Sequence, residues 1–447
     1  MSFAADKQTI EDLNLLGKYK PQSIYSIFNK VKTLGGERLL DAMFKHPLTD
    51  PDIINRRSDI FRYFREKDLV FPFQPAVCRI AEDYLSAVIP GNRIQATFSV
   101  FRKKALEAFL RDEQFAAIYS GLEATIEMLA KLAELLRQLD GKPGDPYYEQ
   151  ALQLKNILAD PRLFWLSQEK GQQLSAMKVA KYDFILRHSL RHEMEKVLIG
   201  IYELDVYTTV GSVAAERHFS FAKALPASQN ILRAVALRHP ALEKAVGNPV
   251  SLHGDKNVLF LTGANMAGKS TFMKSLGIAV YLAHMGFPVA AQNMEFSIRD
   301  GVYSSINVAD NLNMGYSHFY AEVLRVRQAA EEVSNGKNMV VIFDELFKGT
   351  NVKDAFDATL AVTSAFSKYL NCIFVISTHI IEVGEALQDH TNLQFSYLPT
   401  LMEGNVPRYP YILTAGITSD RHGMMIIQNE GILEMITGNN NTTTIVR

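Results

Sequence analysis

Asn257-Val-Leu-Phe-Leu-Thr-Gly-Ala-Asn-Met-Ala-Gly-Lys-Ser270 decides the fold. An apolar run of strand length leads into Gly-x-x-x-x-Gly-Lys-Ser, and the amphipathic segment KSTFMKSLGIAVYLAHMG (269–286) continues as a helix. Glycine lets the backbone turn tightly enough for several amides to converge on one anion at the N-terminus of that helix. Gly263, Ala264, Asn265, Met266, Ala267, Gly268, Lys269, Ser270 and Thr271 are therefore the candidate phosphate cradle. In such a loop Lys269 reaches the β- and γ-phosphates of ATP, and the Ser270 hydroxyl holds magnesium.

Two more apolar runs, NMVVIFDE (338–345) and CIFVISTH (372–379), share the character of the loop strand. Each is apolar throughout, as a strand covered on both faces must be, and each ends in polar residues where open α/β sheets place their ligands. Their alternation with helical segments from about Asn257 predicts crossover units in a mostly parallel sheet, with the VVIFDE strand beside the loop strand. At that strand end Asp344 is a candidate magnesium ligand, and Glu345 is placed to polarise the attacking water. A paired acid at a strand end also suits a turn. Thr378 and His379 end the third run; the histidine can hydrogen-bond the γ-phosphate or the water, or be purely structural. QFSYLPTLMEG and PRYPYILTAG predict a hairpin closing the sheet edge, and 438–447 a flexible tail.

Toward the amino terminus, from about Leu13 to Phe221, the chain reads as helix. EATIEMLAKLAELLRQL puts Ile126, Leu129, Leu132, Ala133 and Leu136 on one face, a helix-packing stripe. Breaks fall at Leu48–Pro51, at Pro90 and Gly91, and at Gly141–Pro146. The result is a multidomain α and α/β chain: a tail at 1–12, an all-helical domain at 13–240, a P-loop α/β domain at 241–437, and the tail.

The 447 residues are 47% hydrophobic and 21% charged, a globular balance that excludes a disordered chain. Net charge is -1, and residues 1–240 hold 33 lysines and arginines against 29 acids, which excludes a polycation that coats nucleic acid. The basic groups Arg56, Arg57, Arg62, Arg65, Lys67 and Arg102, Lys103, Lys104 suit solvated helix faces, or phosphate contacts. Cys78 and Cys372 are too few for a disulfide framework or a zinc site and read as buried thiols of a reducing compartment. MSFAADKQTIEDL lacks the apolar core of a secretion signal and no uncharged apolar run approaches membrane-spanning length, so a cytoplasmic protein with no membrane partner is expected.

The succession TGANMAGKSTFMKSLG, FPVAAQNMEFSIRDGVYSSINVADNLNMGYSHFYAEVLRV, DELFKGTN and STHIIEV resembles the ATPase of the MutS family of DNA mismatch-repair proteins in order and spacing. SIYSIFNKVKTLGGERLLDAMFKHPLTDPDIINRRSDI, YELDVYTTVGSVA and ALRHPALE resemble that family's helical core and lever domain and the approach to its ATPase, so the resemblance covers nearly the whole chain and implies an all-helical core/lever domain followed by a P-loop α/β ATPase domain of the ABC-like type. It implies that Ser317 of MGYSHF reaches in trans to the γ-phosphate of the other subunit of a homodimer, giving two composite sites. On their own Ser317 and Asn311 read equally as turn or cap residues. Tyr411 lines up with the family's adenine-contacting position, and is otherwise a core tyrosine; the second aromatic of that contact is replaced near Ala245.

The family's mismatch-reading and connector domains have no counterpart here, and too little sequence separates the core from YELDV for the DNA clamp. The carboxyl-terminal helical dimer support also reads as shortened. The resemblance implies magnesium-dependent ATP hydrolysis coupled to DNA as partner, with a repair protein as a possible further partner. An ATP-driven protein clamp that does not bind DNA is the alternative; a transporter nucleotide subunit fits less well, because LSGGQ is absent and MGYSHF stands in its role.

Overall fold

The computed structural model describes residues 3–17, 22–87, 113–139, 141–169, 171–264, 266–306, 318–403, 406–418 and 431–437. Ser317, Asn311, Asn265, Pro90, Gly91, Arg102, Lys103, Lys104 and the 438–447 tail lie outside these residues. Two compact units emerge: 26–45 with 56–217, and 1–25 with 46–55 and 218–447.

The first unit is helical. Leu34–Lys45, Pro75–Ser86 and Tyr148–Leu158 pack on Arg191–Glu216, as do Phe61 and Phe64 of Pro51–Lys67, while Glu113–Gln138 packs on Pro75–Ser86, Tyr148–Leu158 and Ala176–Phe184; Val197, Ile201, Leu204, Val206 and Val210 of the central helix are fully buried. The stripe expected on Glu113–Gln138 is buried at Ile126, Leu129, Leu132 and Leu136. By length and composition Arg191–Glu216 is apolar enough to cross a membrane, alone among the described residues; 78% of its most apolar window is buried within the protein, the burial of a core helix.

Asp205 is the charged side chain that this helix buries fully. Its carboxylate accepts from the Lys32 amide (2.9 and 3.0 Å), the Thr33 amide (2.7 Å) and the Thr33 hydroxyl (2.7 Å), while Thr33 Oγ1 accepts from the Gly36 amide (2.9 Å). These donors open the Leu34–Lys45 helix, so Asp205 caps it from a distant part of the chain. Burial raises its pKa against the opposing pull of Thr33 and Lys32.

The second unit is α/β. Its central sheet comprises β1 (Val258–Thr262), β2 (Gly301–Ser305), β3 (Met339–Phe343), β4 (Ile373–Ser377), β5 (Leu393–Tyr397) and β6 (Thr414–Ala415), in the spatial order β6-β5-β1-β4-β3-β2. All neighbours are parallel except the antiparallel edge pair β5–β6. β1 to β4 are buried at every position, as the apolar runs of β1, β3 and β4 require; β2 is buried although it ends in Ser304 and Ser305. One expectation is corrected: β3 is not beside β1, because β4 pairs with both and stands between them. The late hairpin closes the edge only through β6; its middle forms a separate ribbon, Leu401–Glu403 with Val406–Arg408.

Two domain expectations are also corrected. Residues 218–240 hold strands, including Lys223–Leu225 and Ile231–Leu237, which join Asn248–His253 and Asn293–Ser297 in a second sheet. The amino-terminal residues 3–12 are not a loose tail but pack on the sheet. Ala4 exchanges backbone bonds with Asp300 and Val302 along the outer edge of β2 (2.8 and 2.9 Å). Thr9 Oγ1 accepts from the Ser304 amide (2.9 Å), and Asp12 accepts from the Ser304 hydroxyl and the Ile306 amide (2.8 and 2.9 Å). The segment thus covers a sheet edge that would otherwise offer unpaired backbone groups.

His284, at the end of the Lys269–His284 helix, is fully buried between Phe3 and Phe296. Its Nδ1 lies 2.7 Å from the Leu48 carbonyl, and its Nε2 accepts from the Arg299 amide (3.3 Å), which together require the neutral ring. Burial drives its pKa down to about 3, with the Arg299 charge acting in the same direction.

Two tests follow from the packing. Asp205→Ala leaves buried amides unpaired and is expected to cost about 2–4 kcal/mol in urea unfolding; a loss below about 0.5 kcal/mol refutes the capping role. For His284 the folded pKa lies below the unfolded value, so its stabilisation is complete above about pH 6.5 and is lost as pH falls toward 3. Between pH 6.5 and 5 the loss is about 2 kcal/mol, and His284→Asn should flatten that slope; an unchanged slope removes the histidine as its source.

Candidate functional site

The Gly263–Ser270 loop connects β1 to the Lys269–His284 helix. Gly263 has φ +133°, and a Cβ there would stand 2.9 Å from the Leu398 carbonyl oxygen on the chain leaving β5. Gly268 has φ +103°, and a Cβ there would meet Tyr411 Cδ1 at 3.0 Å. Met266, at φ +73°, turns a largely exposed side chain outward. The helix that follows leaves its first amides without intrahelical partners, directed into the loop.

Lys269 is only 4% exposed. Its ammonium donates to the carbonyls of Gly263 (2.7 Å) and Ala264 (3.2 Å) and lies 4.0 Å from Glu345 Oε1. Burial lowers its pKa, and the carboxylates of Glu345 and Asp344 oppose that shift.

The two acids follow β3. The Asp344 amide donates to the Ser305 carbonyl of β2 (3.0 Å), and the Glu345 amide to the carbonyl and hydroxyl oxygens of Ser377 at the end of β4 (both 3.1 Å). The Ser377 hydroxyl in turn donates to Asp344 Oδ1 (2.5 Å). Glu345 and Phe347 both adopt the left-handed region (φ +55° and +61°), unusual for side-chain-bearing residues and a frequent feature of functional turns. Phe347 is anchored in the core against Phe319.

Loop, helix start and acids share one cavity of about 670 Å³, within the range of small-molecule sites. Ala264, Met266, Gly268, Lys269, Ser270 and Thr271 line it together with Asp344 and Glu345; Leu242, Ala245, Val246 and Tyr411 add an apolar stretch, and Lys244 and Lys348 add cations. Tyr411 is thus a half-exposed wall residue rather than a core tyrosine. Gly263 and Ala267 shape the loop from behind the wall. Thr378 is buried with its hydroxyl accepting from the Ile380 amide (3.1 Å), a local turn role. His379 is exposed and is not among the wall residues. Two residues that the sequence reading passed over, Ser377 and Asn248, hold the site together; nothing in their local sequence marks them, because their partners lie 32 to 165 positions away.

An open, mostly parallel sheet with its cavity at the carboxyl ends of the strands is the arrangement in which open α/β folds place a ligand site. The comparisons make it specific. The sequence profile of MutS domain III matches residues 8–209, and that of MutS domain V matches residues 259–444. The chain is 32% identical over 200 residues to the DNA mismatch repair protein MutS of Leuconostoc citreum (strain KM20), covering 43% of this chain and 23% of that protein. It is 30% identical over 224 residues to MutS of Petrotoga mobilis (49% and 27% covered) and 25% identical over 281 residues to MutS of Streptococcus uberis (60% and 33%). The chain belongs to the MutS family, and what it matches is 23% to 33% of the length of these relatives.

The loop geometry carries its own test. Gly263→Ala meets both an unfavourable φ and the Leu398 carbonyl, and should cost about 1–3 kcal/mol in urea unfolding; an unchanged midpoint would show that the loop does not need glycine there.

Proposed function

We propose that this chain is a MutS-like ATPase that acts on DNA in repair or recombination. The observation that carries the ATP part is the buried Lys269, held at a helix N-terminus inside a glycine-turned loop and facing Asp344 and Glu345 across one cavity. A buried ammonium beside free helical amides suits a polyphosphate, and the adjacent acids suit the metal and water chemistry of phosphoryl transfer.

The residues present fit magnesium. A small oxygen-seeking ion bound through one or two carboxylates plus substrate phosphates needs no all-protein cage, and Asp344 and Ser270 line the same cavity. When bound, the ion neutralises charge developing on the transferred phosphoryl group. The loop amides and Lys269 bind the phosphates. Glu345 orients and polarises the attacking water, with its turn fixed by the Ser377 bonds. His379 and, in trans, Ser317 complete the proposed assignment, the second making each site composite in a homodimer.

The DNA part rests on the family, since the relatives matched are named as DNA mismatch repair proteins. Mismatched, branched or damaged duplex is the proposed partner class, with lever movement of the helical unit as the output. The helical unit offers basic side chains on Pro51–Lys67, although Arg62 pairs with Asp59 (2.6 Å).

Glu345→Ala should bind ATP and lose about 100-fold or more in turnover, whereas Lys269→Ala should weaken nucleotide binding itself. Unchanged hydrolysis in both variants would sink the assignment. For DNA, steady-state ATPase activity is measured with homoduplex, mismatched, branched and single-stranded DNA at two salt concentrations. Stimulation by one form that fades as salt rises is expected, because phosphate contacts release counterions; indifference to every DNA refutes the DNA part alone.

A further inference from the structure

Asn248 opens the Asn248–His253 strand, is 5% exposed and lines the cavity. Its side-chain amide donates to the Tyr411 carbonyl (2.9 Å), and its Oδ1 accepts from the Leu413 amide (2.6 Å). A carbonyl on one side and an N–H on the other fix which end of the carboxamide points where.

The stretch that these bonds hold, residues 409–413, lies in no helix or strand. Within it Tyr411 adopts φ +58°, a conformation that a side-chain-bearing residue keeps only when its surroundings impose it. The ring then stands over Gly268, the last glycine of the loop. Two independent features thus meet: a strained, half-exposed aromatic at the cavity, and a buried amide that clamps its backbone on both sides.

We propose that Asn248 is a positioning residue for the nucleobase end of the cavity, setting the Tyr411 ring so that the site prefers a nucleoside triphosphate over a bare polyphosphate. The proposal rests on the ATP reading and extends it. Loop amides and Lys269 grip a phosphate chain whatever it carries, so they cannot distinguish ATP from inorganic tripolyphosphate. Only a surface beyond the phosphates can, and stacking on an aromatic ring needs that ring held still.

The test is calorimetric titration, with magnesium, of the full chain with ATP and with inorganic tripolyphosphate. Wild type should bind ATP more tightly than tripolyphosphate. Asn248→Ala and Tyr411→Ala should each weaken ATP about tenfold while leaving tripolyphosphate within about twofold. The double variant should lose no more than either single one, since one residue acts through the other. Tyr411 is half exposed, so its replacement tests the ring even where Asn248→Ala disturbs folding. Equal weakening of both ligands by the two substitutions, additive losses, or unchanged ATP affinity overturns the proposal. Wild type that binds neither ligand overturns the ATP reading instead.

Discussion

A lysine ammonium that is 4% exposed is the constraint on which the site depends. Removing that charge from water is costly unless hydrogen bonds and opposite charge replace the lost hydration. Here Gly263 and Ala264 turn their carbonyls onto it, and Glu345 and Asp344 supply the opposing charge. The loop can turn its carbonyls inward only because Gly263 accepts φ +133°. The acids can face the loop only because they leave β3 through a turn tied to Ser377. Placing β4 between β1 and β3 is what makes that tie available, since its carboxyl end lies between the loop and the acids.

The same dependence runs outward to the sheet edge. The Ser305 carbonyl that receives the Asp344 amide is flanked by Ser304 and Ile306, both bonded to Asp12. The amino-terminal segment therefore does more than cover an edge: it fixes the strand end that supports the acid turn. His284 secures the far end of the loop helix in the same manner, with both ring nitrogens committed and no room for a proton.

Much of this was legible in the sequence wherever residue type alone dictates structure. The glycines and lysine of 263–270, the unbroken apolar runs of β1, β3 and β4 and the 3.6-residue stripe on Glu113–Gln138 each force a local conformation. Strand order was not legible, because three strands buried on both faces look alike and nothing in VVIF or FVIS says which stands next to β1. Nor was the packed amino terminus: DKQTIEDL is polar, and its Thr9 and Asp12 are buried only because distant amides need acceptors. Tyr411 was reached through family resemblance alone, since a lone tyrosine in a loop has no local signature.

These connections divide the cavity into ends of different rigidity. Its loop end is built on the sheet: loop, acid turn and strand ends are joined by backbone and side-chain bonds in which each partner is itself fixed. Its apolar end is built on irregular chain: the 239–247 connection between two strands of the second sheet, and the 409–413 stretch, which the carboxamide of Asn248 ties to that sheet. Substitutions at the first end must disturb the sheet, whereas those at the second can reshape the apolar wall and leave the sheet intact. Ala245 and Tyr411 sit at that second end, so under the proposed ATP reading the grip on phosphates and the choice of what carries them fall to separate sets of contacts.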